Sequence, residues 1–236
     1  MKKINALDLN YFFYNFRKIN YVIVKYDKSF PNFYKGSDID IFCYDKKELA
    51  KQILNCGNKY INKGFEIKVK EPNDNHIFID FYEENELYFR FDIYDSFPDY
   101  KKINIKKYYI YSVIENSISI VKKYNGLEYP VFLPSDIDDL LLRYIEYIEW
   151  YELRPDKIKH LDYILNKLSD ESLKKKFLDK LHLYTRLSDM PVNDNYYDSL
   201  PKKQKNEIGY LKIRKFLGKF CLIRKLYGIF KKIVTK

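Results

Sequence analysis

Gly36-Ser37-Asp38-Ile39-Asp40-Ile41-Phe42 is the stretch that decides how this chain reads. Two aspartates stand two residues apart inside an apolar, β-prone run. Strand side chains alternate faces, so Asp38 and Asp40 point the same way while Ile39, Ile41 and Phe42 serve packing. Two unpaired carboxylates so close resist joint ionisation. A divalent cation removes that conflict, and hard oxygen ligands suit Mg²⁺, with Mn²⁺ as a substitute. Gly36 and Ser37, just ahead, let a phosphate approach the backbone. The chemistry this pattern suits is metal-assisted phosphoryl or nucleotidyl transfer.

A two-metal site needs a third carboxylate. Asp92, within Leu87-Tyr88-Phe89-Arg90-Phe91-Asp92-Ile93-Tyr94, lies in an aromatic, apolar strand where an unpaired charge is expensive. Asp80, within His76-Ile77-Phe78-Ile79-Asp80-Phe81-Tyr82, is its rival one strand earlier. Asp95 ranks below both because it ends a strand and suits a turn.

A strand, a loop, G-S-D-I-D-I and a later Asp-bearing strand together resemble the nucleotidyltransferase superfamily related to DNA polymerase β. The resemblance covers roughly residues 20 to 95. A poorly characterised branch linked to surface-polysaccharide synthesis has the same layout. The resemblance implies a mixed sheet flanked by helices, and Mg²⁺-dependent transfer of a nucleotidyl group from a nucleoside triphosphate to a small-molecule or glycan acceptor. It makes Asp38, Asp40 and Asp92 the catalytic carboxylates and the ligands of two metal ions, with Gly36 and Ser37 on the nucleotide phosphates. Many members place G-S in the turn after the first strand. Here that turn is Lys25-Tyr26-Asp27-Lys28, so Lys25 and Lys28 are assigned the phosphate instead. Two other readings stand beside this one. In the first, a substituted phosphate moves from a CDP-activated alcohol to a glycan. In the second, the fold is a degenerate binding or antitoxin-like module.

The fold class expected is α/β of the α+β type, a mixed sheet with flanking helices followed by a helical module. A first helix is read over 7–19, a buried strand over 20–26 and the aspartate strand over 37–44. Asp45 caps a helix over 46–61, with Glu48 in the capping-box position. Strands follow at 65–70, 76–82 and 87–94, the last two joined by a turn at Glu83-Glu84-Asn85-Glu86. Helices are read over 135–151, 157–168 and 171–187, with Arg143 pairing Glu146 one turn on. The domains expected are a catalytic domain over 1–125, a helical domain over 126–201 and a basic amphipathic tail over 202–236.

The net charge of +10 is uneven. From residue 202 onward twelve Lys and Arg face one acid, Glu207, so the tail carries +11 and the remainder −1. The high pI therefore does not make the body a nucleic-acid binder. The tail's apolar and basic mixture suits an anionic membrane surface; docking on the protein's own core and RNA binding are the alternatives. Three cysteines without a C-x-x-C pair argue against a disulfide framework or zinc site and fit a reducing cytoplasm, with the inner membrane face as a docking place. No signal peptide, membrane span, P-loop or H-x-x-x-H metal motif is expected.

Overall fold

The structure is a computed structural model that describes residues 6–151, 153–154, 157–185, 187 and 190. It is an α+β protein. Its elements are α1 (Leu9–Asn15), β1 (Tyr21–Val24), β2 (Ser37–Cys43), α2 (Lys46–Ile61), β3 (Phe65–Asn73), β4 (His76–Glu83) and β5 (Glu86–Tyr94). There follow α3 (Tyr109–Glu115), β6 (Ile118–Tyr124), β7 (Leu127–Leu133), α4 (Asp136–Trp150), α5 (Ile158–Lys167) and α6 (Glu171–Thr185). Among the described residues no helix is long and apolar enough to cross a membrane. The basic tail lies outside the described residues.

Five strands form one mixed sheet in the order β1-β2-β5-β4-β3. β2 runs parallel to β5, and the other pairs are antiparallel. The β4–β5 turn is the one expected: Glu84 and Asn85 both take positive φ, 52° and 64°. Two left-handed residues in a two-residue loop match the right-handed twist of the paired strands. One sheet face is apolar. Ile41 and Cys43 of β2, Ile77, Ile79 and Phe81 of β4, and Phe89, Phe91 and Ile93 of β5 are buried there. α1 adds Phe12 and Phe13; α2 adds Leu49, Ile53 and Tyr60. α2 starts as expected, with the Asp45 carboxylate accepting from the N–H groups of Lys47 and Glu48 at 2.9 and 3.0 Å. Gly57 lets this helix sit close on the sheet; a Cβ there would meet Ile67 Cδ1 at 2.8 Å.

The expected domain boundary at 125/126 falls inside the turn of the β6–β7 hairpin, where Asn125 and Gly126 take positive φ. That hairpin belongs with the sheet unit: Tyr129 donates to Asn10 Oδ1 of α1 at 2.7 Å. The described residues form two compact units, one within 6–98 and 105–142 and the other within 99–104 and 143–190. In the second, Tyr144 packs edge-on against Phe177, and Glu149 accepts from the backbone N–H groups of Lys101 and Lys102. Glu146 is met there by Lys157 and by His160 at 3.2 Å, while Arg143 lies over the Tyr163 ring.

Candidate functional site

The second sheet face is polar at one end. Phe42, at the C-terminal end of β2, packs on Phe97, which stacks on Tyr109 of α3. Towards the N-terminal end of β2, charged side chains replace the aromatic ones. Asp38 and Asp40 stand here, and the parallel register sets Asp38 beside Arg90 and Asp40 beside Asp92. Adjacent strands lie about 4.8 Å apart and alternate residues about 6.6 Å apart, so the three carboxylates occupy one small area. β4 continues the face with His76, Phe78 and Asp80, and β3 with Lys68 and Lys70.

Each carboxylate has a different environment. Asp38 is exposed. Asp40 is half-buried and paired with Lys25 at 2.8 Å. Lys25 follows β1 in a left-handed conformation, φ 55°, which is uncommon for a residue with a Cβ. Asp92 is 7% exposed. Its Oδ1 lies 3.5 Å from His76 Nε2 without hydrogen-bond geometry, and neither buried atom has a hydrogen-bond partner. Burial raises the Asp92 pKa above the ordinary carboxylate range; the His76 contact opposes this, and the charge of Asp40 adds to it.

Asp80, the rival third carboxylate, is fully buried. Arg90 grips both its oxygens, Nε to Oδ1 at 2.5 Å and Nη2 to Oδ2 at 3.1 Å. Lys70 Nζ and the Tyr82 hydroxyl also donate to Oδ2, at 2.7 and 3.3 Å. Burial pushes its pKa up, but the bonds from Arg90 and Lys70 outweigh burial and hold the carboxyl below its usual range. Both Asp80 oxygens are therefore occupied by donors from the protein. Asp95 is likewise paired, accepting from Lys46.

Gly36 and Ser37 do not offer their backbone to a ligand. The Gly36 N–H donates to the Tyr88 carbonyl at 2.9 Å and the Ser37 N–H to Tyr34 at 3.0 Å. The φ of Gly36, 84°, turns the chain into β2. What this pair leaves for a ligand is the Ser37 hydroxyl. Beneath the β1–β2 connection opens a cleft of about 310 Å³, lined by Lys25, Tyr26, Phe33, Ser37, Asp38 and Asp40 among others. Lys28 is exposed and outside that lining. His76 and Arg90 were missed by the sequence reading. The signal for Arg90 was present: it stands two residues before Asp92 and so shares its face.

Among the described residues no three His, Cys, Asp or Glu side chains converge closely enough to hold a metal ion. Lys25 Nζ occupies Asp40 Oδ2 at 2.8 Å. No protein-family model, curated protein or solved structure matches this chain.

Proposed function

We propose that this chain is a Mg²⁺-dependent nucleotidyltransferase that moves a nucleotidyl group from a nucleoside triphosphate to a hydroxyl of a small-molecule or glycan acceptor. One observation carries the reading. Asp38, Asp40 and Asp92 share the open end of a sheet face, at adjoining positions of two parallel strands, next to a cleft. The donor set is all oxygen, which suits Mg²⁺. The buried Asp92 Oδ1, which accepts no hydrogen bond although His76 Nε2 stands 3.5 Å away, supports a cation there, because an acceptor left unsatisfied costs about 1–3 kcal/mol that a bound ion would offset. To hold the metal, Asp38, Asp40 and Asp92 would have to draw closer together and Lys25 to leave Asp40; the ion would then balance charge on the entering and leaving oxygens.

The chain's own groups have separate tasks. Asp92, with its raised pKa, is the carboxylate best suited to take the acceptor's hydroxyl proton. Lys25 moves its charge from Asp40 to a donor phosphate. The cleft side chains exclude water around the nucleotide.

The second reading is a binding module on the same fold. It is favoured by the Lys25–Asp40 pair, which neutralises a carboxylate without a metal. A thermal-shift panel of ATP, CTP, GTP, UTP and CDP, with and without Mg²⁺, separates the two. The transferase reading expects a Mg²⁺-dependent rise in Tm with a triphosphate, lost in Asp38→Asn/Asp40→Asn. Absence of any rise in the wild type, or a rise that survives the double substitution, would leave the binding module.

A further inference from the structure

We infer that the sheet face carries a phosphate subsite built by Arg90 and Lys70 on the buried Asp80, and that it takes a phosphomonoester substrate on the β4 side of Asp92. Asp80 is one negative charge and holds two positive ones. Lys70 Nζ and Arg90 Nη2 stand 2.7 and 3.1 Å from the same oxygen, so the two cations are neighbours that share one carboxylate. A tetrahedral oxyanion is a ligand that can use donors of both.

The guanidinium is also pre-aimed. Asp80 fixes Nε and Nη2, and the Phe78 ring supports the plane with the guanidinium carbon 4.4 Å from its centroid. Among the described residues nothing accepts from Nη1. The side chain is 25% exposed and that of Lys70 49%, so both reach solvent. A planar fork held at one edge by a buried carboxylate presents its other edge at fixed orientation, which an ammonium cannot do. Arg90 Nε, on the edge held by Asp80, lies 4.0 Å from Asp92 Oδ1, so the arginine stands beside that carboxylate.

Position in the strand order explains the use. The cleft with Lys25 lies at β1 and β2, and Arg90 and Lys70 lie at β5 and β3. Asp38 and Asp40 border the cleft, and Asp92 stands on β5 with Arg90. A group-transfer reaction needs its two substrates on opposite sides of the reacting centre. With the nucleotide in the cleft, the phosphate-bearing partner falls to Arg90. That assignment rests on the transferase reading; phosphate binding itself does not.

The test is isothermal titration of the full chain, without divalent cation, using inorganic phosphate, pyrophosphate and glucose 1-phosphate as separate probes. Wild type is compared with Arg90→Lys, Lys70→Met, Asp80→Asn/Arg90→Gln and Asp38→Asn/Asp40→Asn. The expected result is that phosphate and glucose 1-phosphate bind the wild type. Arg90→Lys and Asp80→Asn/Arg90→Gln should weaken both by about tenfold or more, the value of one hydrogen bond to a charged group. Lys70→Met should weaken them by a smaller factor, and Asp38→Asn/Asp40→Asn should retain them. Pyrophosphate binding as the sole response would place the donor's leaving group at Arg90 and overturn the monoester assignment. No binding to the wild type would overturn the subsite. So would affinities within twofold in both Arg90 variants, or loss confined to the Asp38/Asp40 variant. If Arg90→Lys fails to fold, the charge-neutral Asp80→Asn/Arg90→Gln pair and the half-exposed Lys70→Met still decide. Because these probes need neither metal nor turnover, failure of the subsite is distinct from failure of the nucleotide panel.

Discussion

Replacing Arg90 by Met should destabilise the protein sharply, and the loss should disappear in acid. Asp80 is fully buried, and Arg90 supplies two of the bonds to its carboxylate. Removing one partner of a buried ion pair costs about 3–5 kcal/mol because the other charge is stranded. Lys70 and Tyr82 remain on Oδ2, which puts the expectation at the lower end, about 3 kcal/mol. For a domain of this size that is a fall in Tm of roughly 6–12 °C. The sign with pH follows from the depressed pKa of Asp80. A carboxyl whose folded pKa is depressed adds stability above its unfolded pKa, about 3.9, and loses it as pH falls through the folded value. The gap between wild type and Arg90→Met is therefore full at pH 7 and shrinks below about pH 4. Asp80→Leu/Arg90→Met, which removes both charges from the interior, should recover most of the loss, since apolar replacement of a buried pair is often neutral. Urea melts at pH 7 and at pH 3 measure the wild type and both variants. A cost under about 0.5 kcal/mol at pH 7 would be the ordinary surface value and would refute the buried clamp. A cost unchanged at pH 3 would show that the charge on Asp80 is not its source.

Asp92→Asn should be more stable than wild type at pH 7. Its raised pKa means the folded state favours the protonated form, so wild-type stability falls as pH rises through the folded pKa. Melts should converge below the ordinary carboxylate range; a less stable Asp92→Asn at pH 7 would contradict this. Lys25→Ala should weaken nucleotide affinity by about 10- to 100-fold, as loss of a hydrogen bond to a charged group does. Lys28→Ala, at an exposed site outside the cleft, should leave affinity within twofold; titration calorimetry with the nucleotide from the thermal-shift panel checks both. Gly57→Ala should cost about 1–3 kcal/mol in urea melts by overpacking against Ile67 and Phe81. A neutral result would mean that α2 sits further from the sheet.

Local chemistry alone determined several features of this protein. The period of two in 37–42 puts Asp38 and Asp40 on one face whatever they pair with. Asp45 caps α2 through its own side chain, and Glu84-Asn85 forms the β4–β5 turn because both residues lie next to the strands they join. The Asn125-Gly126 turn carries the same kind of signal, yet the boundary expected at 125/126 cuts its hairpin in two and leaves only β7 with the helical module. Local pattern does not say which unit a hairpin joins.

Tertiary structure alone decided which carboxylates meet. Asp80 and Asp92 sit on equally aromatic strands and share a face, so alternation cannot rank them. The choice follows from the parallel pairing of β2 with β5, about fifty residues apart in sequence, where no turn sets the register. That pairing puts Asp92 beside Asp40, and the β4–β5 register puts Arg90 across from Asp80. Burial then separates them physically. Asp80 is sealed under two cations, whereas Asp92 keeps an oxygen without a hydrogen bond next to a second negative charge. Desolvation and charge coupling depend on what surrounds a group in three dimensions, and strand pattern carries no record of it.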